Sequence, residues 1–277
     1  MKKKTEMTVL DSRMLAPDIW SLELAYAPGE APAPREIRPG QFAGLYPAGG
    51  DMLLMRPISI CRWDAGRGAL RFVYRAAGKG TRSFTLLRPG DHLEMLGILG
   101  NGYDLEKFAG KRVVLLGGGI GVPPMLELAA ALHGAAAPGG QADPGAQAPA
   151  SVTAVLGYRD SSLFLREEME AFADVYIATE DGSVGTKGNV LDVVREKGLE
   201  ADVLCACGPL PMLRAVKQYA AEKGIRAWLS LEERMACGIG VCLGCVAKTT
   251  RVDEHSRVHN ARVCVEGPVF PAEDVDI

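Results

Sequence analysis

Four cysteines in the last quarter of the chain restrict what it can fold into more than any other feature. Cys237, Cys242 and Cys245 follow one another at C-x4-C-x2-C spacing, and Cys264 lies further along. This three-plus-one arrangement is the plant-type pattern for a [2Fe-2S] cluster, which requires four thiolate ligands. Glycines between the first three cysteines allow the backbone to curl around an inorganic core. The sequence therefore predicts a [2Fe-2S] centre held by these four residues.

Zinc is the main alternative, because four cysteines can also bind that metal. Structural zinc sites usually arrange their cysteines as two short knuckles, so the three-plus-one division favours iron and sulfide. His255 and His259 lie between the third and fourth cysteines and could replace a thiolate, as histidines do in Rieske centres. Because all four cysteines are present, we expect both histidines to be exposed loop residues.

The composition indicates a soluble intracellular protein. The chain has 277 residues, 48% of them hydrophobic, and a formal net charge of -3. The absence of a long basic run argues against nucleic acid as a partner. No apolar run has the length of a signal peptide or membrane span, so we expect a cytoplasmic location and no membrane association. Seven cysteines, four of them grouped, fit a reducing compartment where thiols bind metal.

The first third of the chain predicts a small antiparallel barrel. Residues Ile19 to Tyr26 alternate with a period of two, which places Trp20, Leu22, Leu24 and Tyr26 on one face and Ser21 and Glu23 on the other. Leu70 to Arg75 is a further strand. Turn signals at Pro39-Gly40, Gly66 to Gly68 and Pro89 to Asp91 separate such segments.

Two motifs in this region are suited to a flavin dinucleotide. Arg56-Pro57-Ile58-Ser59 is expected at the end of a strand, where the Arg56 guanidinium offers paired donors to pyrophosphate and Ser59 a hydrogen bond to a flavin ring. Gly78 to Thr81 is expected to begin a helix, where Gly80 and Thr81 expose backbone N–H groups to phosphate. Each motif alone is more often a solvated turn or a helix cap.

The middle of the chain predicts a parallel sheet of Rossmann type. The apolar strand Arg112 to Leu116 leads into a glycine-rich turn, Gly117 to Gly121, and then into a helix through Met125, Leu128, Ala129 and Leu132. Strand, glycine turn and helix in this order form a dinucleotide site. The turn departs from G-x-G-x-x-G, because Pro124 stands where the third glycine would fall.

Three more strands and helices alternate after this turn. Strands are expected at Val152 to Gly157, Val175 to Thr179 and Val203 to Ala206, with helices around Phe164 to Phe172, near Val190 to Lys197, and from Met212 to Gly224. Ligands bind beyond the carboxyl ends of parallel strands, so the glycine turn, the loop Glu180 to Ser183 and Cys207-Gly208-Pro209 should converge. Residues Gly134 to Ala150 are rich in Ala, Pro, Gly and Gln, and we expect a flexible surface loop there.

These residues give the chain a close resemblance to the electron-transfer subunits of bacterial type B dihydroorotate dehydrogenases, which are built like ferredoxin reductases. The resemblance covers nearly the whole chain, and the block from Met235-Ala236-Cys237 to Gly267-Pro268-Val269-Phe270 is its most specific part. It implies that FAD binds at one set of residues and NAD at another. The implied FAD residues are Arg56, Pro57, Ile58, Ser59, Val73, Tyr74, Arg75, Gly80 and Thr81. The implied NAD residues are Gly117, Gly118, Gly119, Gly121, Cys207, Gly208 and Pro209.

The resemblance also implies a division into an FAD-binding barrel (1–105), an NAD-binding α/β domain (106–228) and a small [2Fe-2S] domain (229–277). A partner subunit carrying FMN would oxidise dihydroorotate, in a heterotetramer of two catalytic and two electron-transfer subunits in pyrimidine biosynthesis. No catalytic acid or base is then expected in this chain.

Two other functions remain open at the level of sequence. One is the diaphorase subunit of an NADH-dependent ferredoxin-NADP reductase or a sulfide dehydrogenase, although the transhydrogenase relatives typically have Asp at one cluster position. The other is a zinc-stabilised nucleotide-binding regulatory module. Arg159, after the second strand of the nucleotide domain, could meet the 2′-phosphate of NADP, but beside Asp160 it is as easily a surface pair. We follow the family and expect NAD.

Overall fold

A computed structural model describes residues 3–26, 37–47, 52–136, 148–252 and 257–277. The chain forms two compact units, which are treated separately below. The first comprises Met1–Gly102, Glu232–Ala247 and Ala261–Pro268, and the second comprises Tyr103–Leu231, Lys248–Asn260 and Val269–Ile277. All four cysteines of the C-x4-C-x2-C…C pattern belong to the first unit. The three-domain division expected from the sequence stays a prediction.

The first unit contains the predicted antiparallel barrel. Its strands are β1 (Lys4–Ala16), β2 (Ile19–Tyr26), β3 (Phe42–Leu45), β4 (Arg56–Asp64), β5 (Ala69–Arg75) and β6 (His92–Leu99). They are ordered β1-β2-β5-β4-β3-β6, and pairing between β1 and β6 closes the barrel. The short helix α1 (Lys79–Phe84) follows β5. The three turn signals lie between strands, and β2 has the predicted bounds.

Alternation along β2 holds for Leu22 and Leu24 but not for Ser21. Leu22 and Leu24 are buried in the barrel core, as the period of two predicts. Ser21, expected on the polar face, is only 1% exposed. The long side chain of Arg71 on the neighbouring strand β5 covers it and donates a hydrogen bond from Nε to its Oγ at 2.9 Å. The second face of this strand is therefore partly covered as well, which alternation alone could not show.

The second unit is built on a seven-stranded sheet ordered β10-β9-β8-β7-β11-β12-β15. Its strands are β7 (Arg112–Gly118), β8 (Ser151–Tyr158), β9 (Asp174–Thr179), β10 (Thr186–Lys187), β11 (Val203–Cys207), β12 (Arg226–Ser230) and β15 (Val269–Pro271). All neighbours are parallel except β12 and β15, so the predicted Rossmann-like sheet is confirmed. Two further strands, β13 (Val246–Lys248) and β14 (Asn260–Arg262), pair with each other.

Among the described residues, four α-helices accompany this sheet: α2 (Val122–Ala136), α3 (Arg166–Glu170), α4 (Val190–Glu196) and α5 (Leu210–Lys223). The apolar positions predicted for α2 are all buried, and α5 ends at Gly224 in the left-handed conformation, as expected. The prediction for α3 was wrong in length. Leu165 has φ +64, so the helix cannot begin before Arg166, although Phe164 and Leu165 are buried.

The predicted surface loop Gly134 to Ala150 begins later than expected, because α2 continues to Ala136. Residues 137–147 of that stretch, and His255, lie outside the described residues. His259 is described and is exposed, as predicted. No helix in the described part of the chain is both long and apolar enough to cross a membrane.

Candidate flavin, nucleotide and cluster sites

The two sequence motifs expected to bind flavin meet in the first unit. Arg56-Pro57-Ile58-Ser59 begins β4 rather than ending a strand, because its pairing with β3 starts at Arg56 opposite Leu45. The Arg56 guanidinium lies directly over Gly80 of α1, and a Cβ at Gly80 would stand 2.6 Å from Cζ of Arg56. Arg56 also donates from Nη1 to the carbonyl of Leu54 at 2.6 Å. The glycine thus makes room for a cation beside the start of a helix.

Thr81 has a structural role that the motif also allows. Its Oγ1 accepts from the N–H of Gly78 at 3.1 Å and lies 3.2 Å from the carbonyl of Gly78, so the side chain caps α1. The backbone N–H groups of Gly80 and Thr81 belong to the first helical turn and have no acceptor within the helix. Backbone N–H groups beside the Arg56 cation are suited to bind an anion.

Tyr74 of β5 has a buried hydroxyl that is suited to bind a polar ligand. The residue is 1% exposed, and its ring meets the edge of Phe84 at a centroid distance of 5.7 Å. Its hydroxyl has no hydrogen-bond partner among the described residues. Burial raises the pKa of Tyr74 well above its usual value, so the group stays a neutral donor. An unsatisfied buried hydroxyl costs about 1–3 kcal/mol, which a polar ligand would recover. The adjacent Val73 is buried and Arg75 is exposed.

In the second unit, the glycine turn and the Cys207-Gly208-Pro209 turn are in direct backbone contact. A Cβ on Gly121 would overlap the carbonyl group of Cys207, and one on Gly208 would stand 3.1 Å from Cα of Gly118. A Cβ on Gly118 would stand 2.6 Å from Sδ of Met212, and one on Gly117 would stand 3.0 Å from Cα of Val122. Gly119 has φ +54. The two turns at the carboxyl ends of β7 and β11 therefore converge.

Sequence reasoning missed Tyr103 beside this site. The residue is 1% exposed, and its hydroxyl has no partner in the part of the chain that the structure describes. Burial, together with the nearby thiols of Cys205 and Cys207, raises the pKa of Tyr103 well above its usual value. Burial also raises the pKa of the Cys205 thiol. Tyr103 belongs to no local motif, so only the three-dimensional structure could find it.

The loop from Cys237 to Cys245 wraps its backbone around sulfur. The Sγ of Cys237 accepts N–H groups from Ile239 at 3.5 Å and from Val241 and Cys242 at 3.4 Å. Gly238 and Gly240, at φ +66 and +84, permit this curl. Desolvation acts to raise the pKa of Cys237, but these hydrogen bonds outweigh it and lower the pKa to about 6. A thiolate prepared in this way is the form that binds metal.

The four thiols interact as two hydrogen-bonded pairs, and Cys264 of one pair also interacts with Cys237 of the other. Cys237 interacts with Cys242, and Cys264 hydrogen-bonds Cys245. Desolvation and the neighbouring Cys245 raise the pKa of Cys264 to about 12. Among the described residues, no three His, Cys, Asp or Glu side chains are arranged to hold a single metal ion. Two interacting pairs match the requirement of a core with two irons, each of which takes two protein thiolates.

Both cluster segments are attached to the barrel within the first unit. A Cβ on Gly238 would overlap the methyl group of Met55 and stand 3.1 Å from Cδ1 of Leu99. Asn101, which follows β6, donates from Nδ2 to the carbonyl of Glu266 at 2.6 Å and from its N–H to that of Gly267 at 2.7 Å. Met55, which contacts the cluster loop, directly precedes Arg56, the first residue of the motif expected to bind flavin.

The outer surface of the cluster loop is apolar. Ile239, Val241 and Leu243 are 44%, 75% and 63% exposed. Leu53, which precedes Met55 by two residues, is 82% exposed. Apolar side chains exposed together on one short loop are typical of an interaction surface.

This fold and these sites define an oxidoreductase of ferredoxin reductase-like architecture with an iron-sulfur binding segment. The family described as the iron-sulfur cluster binding domain of dihydroorotate dehydrogenase B matches residues 232–276. The electron transfer subunit of dihydroorotate dehydrogenase B (NAD(+)) from Listeria monocytogenes serotype 4a is 42% identical over 99% of both chains. That of Bacillus caldolyticus is 41% identical over 98% of both. The chain belongs to the family of dihydroorotate dehydrogenase B electron transfer subunits.

Solved structures show the same architecture. An NADH-dependent reduced ferredoxin-NADP oxidoreductase aligns with a TM-score of 0.80 at 26% identity, covering 98% of this chain and 89% of the other. A flavohemoglobin from Malassezia yamatoensis, solved with FAD and heme, aligns with a TM-score of 0.62 at 20% identity over 80% of this chain and 57% of the other.

Proposed function

We propose that this chain transfers electrons to NAD+ from a partner subunit that contains FMN and oxidises dihydroorotate. Its own cofactors are a [2Fe-2S] cluster and FAD. The curated relatives are named as NAD(+)-dependent electron transfer subunits, a name that implies a catalytic partner. A heterotetramer of two subunits of each kind, acting in pyrimidine biosynthesis in the cytoplasm, completes the proposal. When bound, a flavin exchanges two electrons with a nicotinamide and single electrons with an iron-sulfur cluster.

The observation that carries this proposal is the attachment of the cluster loop beside the flavin motif. Met55 contacts Gly238, next to Cys237, and Arg56 begins the motif proposed to hold FAD. A chain that only needed metal for stability would not require its metal loop next to a flavin site. The proximity of the two sites, both in the first unit, is what one-electron transfer needs.

For FAD, we propose that Arg56 and the first turn of α1 hold the pyrophosphate, and that Tyr74 donates its buried hydroxyl to the cofactor. Arg56 lies over Gly80, so cation and helical N–H groups are directed to one place. Ser59 is half-buried on β4 and supplies a hydroxyl to the flavin. Pro57, Ile58, Val73 and Arg75 complete the set by resemblance.

For NAD, we propose that the phosphates rest on the turn Gly117 to Gly121 and that Cys207 to Pro209 faces the nicotinamide. The backbone contact between Gly121 and Cys207 joins these two turns at the carboxyl edge of the sheet, where dinucleotides bind. NAD, rather than NADP, follows from the names of the relatives.

For the cluster, we propose Cys237 and Cys242 as ligands of one iron and Cys245 and Cys264 as ligands of the other. The four thiols already interact in these pairs. We propose that the exposed side chains of Ile239, Val241 and Leu243 dock against the FMN-containing subunit, since covering them would also exclude water from the cluster.

A second candidate function is the diaphorase subunit of a ferredoxin-NADP reductase, favoured by the 0.80 TM-score of that structure. The proposed pathway is tested by co-expressing the chain with FMN-containing partners and measuring dihydroorotate-dependent NAD+ reduction. Co-purification without this activity would reject dihydroorotate as the source of electrons.

The cluster assignment is tested by Cys242→Ser, with Cys61→Ala as a control because Cys61 is a buried cysteine outside the motif. We expect Cys242→Ser to lose iron and partner-dependent turnover while Cys61→Ala keeps both. Unchanged iron and turnover in Cys242→Ser, or zinc in place of iron in the wild type, would contradict the proposal.

A further inference from the structure

Gly240 in the cluster loop interacts with two residues of the separate segment that contains the fourth cysteine. Its carbonyl accepts a hydrogen bond from Nη1 of Arg262 at 3.1 Å. Its backbone also hydrogen-bonds the thiol of Cys264. Gly240 therefore links Arg262, which is not a proposed ligand, to Cys264, which is one.

The Arg262 side chain is itself fixed by Glu266. The Glu266 carboxylate accepts from the Arg262 N–H at 2.6 Å and from its Nε at 3.0 and 3.1 Å, and it also contacts Nη2. Both side chains are only about one-third exposed, at 31% and 33%. Because the planar guanidinium is held by several bonds, its remaining donor has a defined direction toward Gly240.

The backbone of Gly240 can respond to the loss of this contact. Its φ of +84 is one that glycine adopts without steric cost, and a Cβ there would stand 2.6 Å from Cγ2 of Val265. Glycine has more accessible backbone conformations than other residues, so the hydrogen bond from Arg262 helps to restrain Gly240 in this one. Glu266 is in turn tied to the barrel through its carbonyl, which accepts from Asn101.

We propose that Arg262, oriented by Glu266, is a positioning residue that sets the reduction potential of the cluster by holding Gly240 against the sulfur of Cys264. The inference rests on the proposed cluster ligands. Hydrogen bonds to the sulfurs and nearby positive charge both stabilise the reduced state of an iron-sulfur cluster. Loss of Arg262 should therefore make the cluster harder to reduce.

The test is a redox titration of the full-length holoprotein followed by electron paramagnetic resonance, comparing wild type with Arg262→Gln and Arg262→Lys. We expect both variants to bind iron, to show altered g values, and to have a reduction equilibrium constant about tenfold lower, a shift of about 59 mV for one electron. Lysine keeps the positive charge but lacks the planar guanidinium group with its several donors. A shift of the reduction potential in both variants therefore assigns the effect to positioning rather than to charge.

Two further variants keep the inference falsifiable. Arg67→Gln removes an arginine from an exposed ion pair with Glu23 on the barrel and should leave the potential unchanged. If Arg262→Gln does not fold, Glu266→Gln, which frees the guanidinium without removing it, must alter the g values of the reduced cluster. The inference would be overturned if the Arg262 variants had the wild-type potential and g values. If Arg262→Gln does not fold, the same result in Glu266→Gln would overturn it. A wild-type protein without a [2Fe-2S] spectrum would instead overturn the proposed function.

Discussion

Met55 packs its methyl group onto the Cα of Gly238, so that the side chain before the flavin motif closes against the backbone after the first cluster cysteine. Met55 is itself 1% exposed. The contact joins residues that are far apart in sequence, and it leaves no space for a side chain at position 238.

Gly238→Ala should therefore reduce iron binding. The residue has φ +66, and the added methyl would also overlap Met55. Gly224→Ala is a matched control, because Gly224 has φ +65 but no atom within 4 Å of the added Cβ. A left-handed conformation costs a non-glycine residue about 1–2 kcal/mol, so Gly224→Ala should lose that much stability and Gly238→Ala at least that much. Only Gly238→Ala should lose iron, measured per chain after anaerobic purification. Equal iron in the two variants would show that the Met55 contact does not matter to the cluster.

Gly80→Ala should weaken FAD binding while the protein remains folded. The new methyl would displace the Arg56 guanidinium, which is the flexible end of a long side chain. Ala favours a helix over Gly by about 1 kcal/mol, so α1 should not be lost. We expect at least a tenfold rise in the dissociation constant for FAD, equal to about 1.4 kcal/mol. Gly78→Ala, with no atom within 4 Å of the new Cβ, should bind FAD like wild type. Wild-type affinity in Gly80→Ala would remove Arg56 from the site.

Tyr74→Phe should have opposite effects on the free and FAD-bound protein. Removing a buried hydroxyl that lacks a partner should raise the free energy of unfolding of the flavin-free protein by about 1 kcal/mol or more. FAD affinity should fall by about 1 kcal/mol, roughly fivefold. Urea denaturation and flavin titration measure the two effects.

The comparison for that variant is Tyr158→Phe, because the Tyr158 hydroxyl donates to the carbonyl of Phe164 at 2.7 Å. This change should destabilise the protein by about 1 kcal/mol and leave FAD affinity unchanged. If Tyr74→Phe behaves in the same way as Tyr158→Phe, the Tyr74 hydroxyl does not face the cofactor.

Asp202 should make stability depend on pH in the acid range. Side-chain and backbone hydrogen bonds from Arg112 lower its pKa from 3.8 to about 2. A carboxylate with a lowered folded-state pKa adds stability above its unfolded pKa, near 4, and this stability is lost as the pH falls toward 2. Asp202→Asn should therefore flatten the dependence of the free energy of unfolding on pH between about 4 and 2.

Glu200→Gln is the control for Asp202, since Glu200 also contacts Arg112 but is 78% exposed. Exposed pairs contribute little, so its pH profile should follow wild type. A profile for Asp202→Asn that matches wild type would show that the Arg112 pair does not persist in solution.

Local patterns were sufficient to predict the barrel, the parallel sheet and the grouping of the cysteines. Strand alternation, as in β2, and the glycine turn after β7 are properties of short segments, which the sequence displays directly. The bounds of α3 were wrong because Leu165 takes a left-handed conformation that its residue type disfavours. The strand β12 was missed because it is short and follows a helix without a turn motif beyond Gly224.

Contacts between distant segments could not be predicted. Nothing around Met55 indicates that it packs on Gly238, and nothing around Asn101 indicates that it holds Glu266 and Gly267. Tyr103 was missed for the same reason, since its neighbours Cys205 and Cys207 lie on a strand that follows much later in the chain. The proposed iron pairs also depend on the tertiary structure, because spacing alone does not say which thiols interact.

The segment carrying Cys264 is fastened to the end of β6 by Asn101, and this has a consequence for biosynthesis. A ribosome makes the barrel strands and all strands of the second unit's sheet except β15 before it reaches Cys264. A nascent chain can present Cys237, Cys242 and Cys245 while the fourth sulfur is still unmade. With these four cysteines as the proposed ligands, a complete cluster site can form only after Cys264 has been made and its segment has joined the barrel through Asn101.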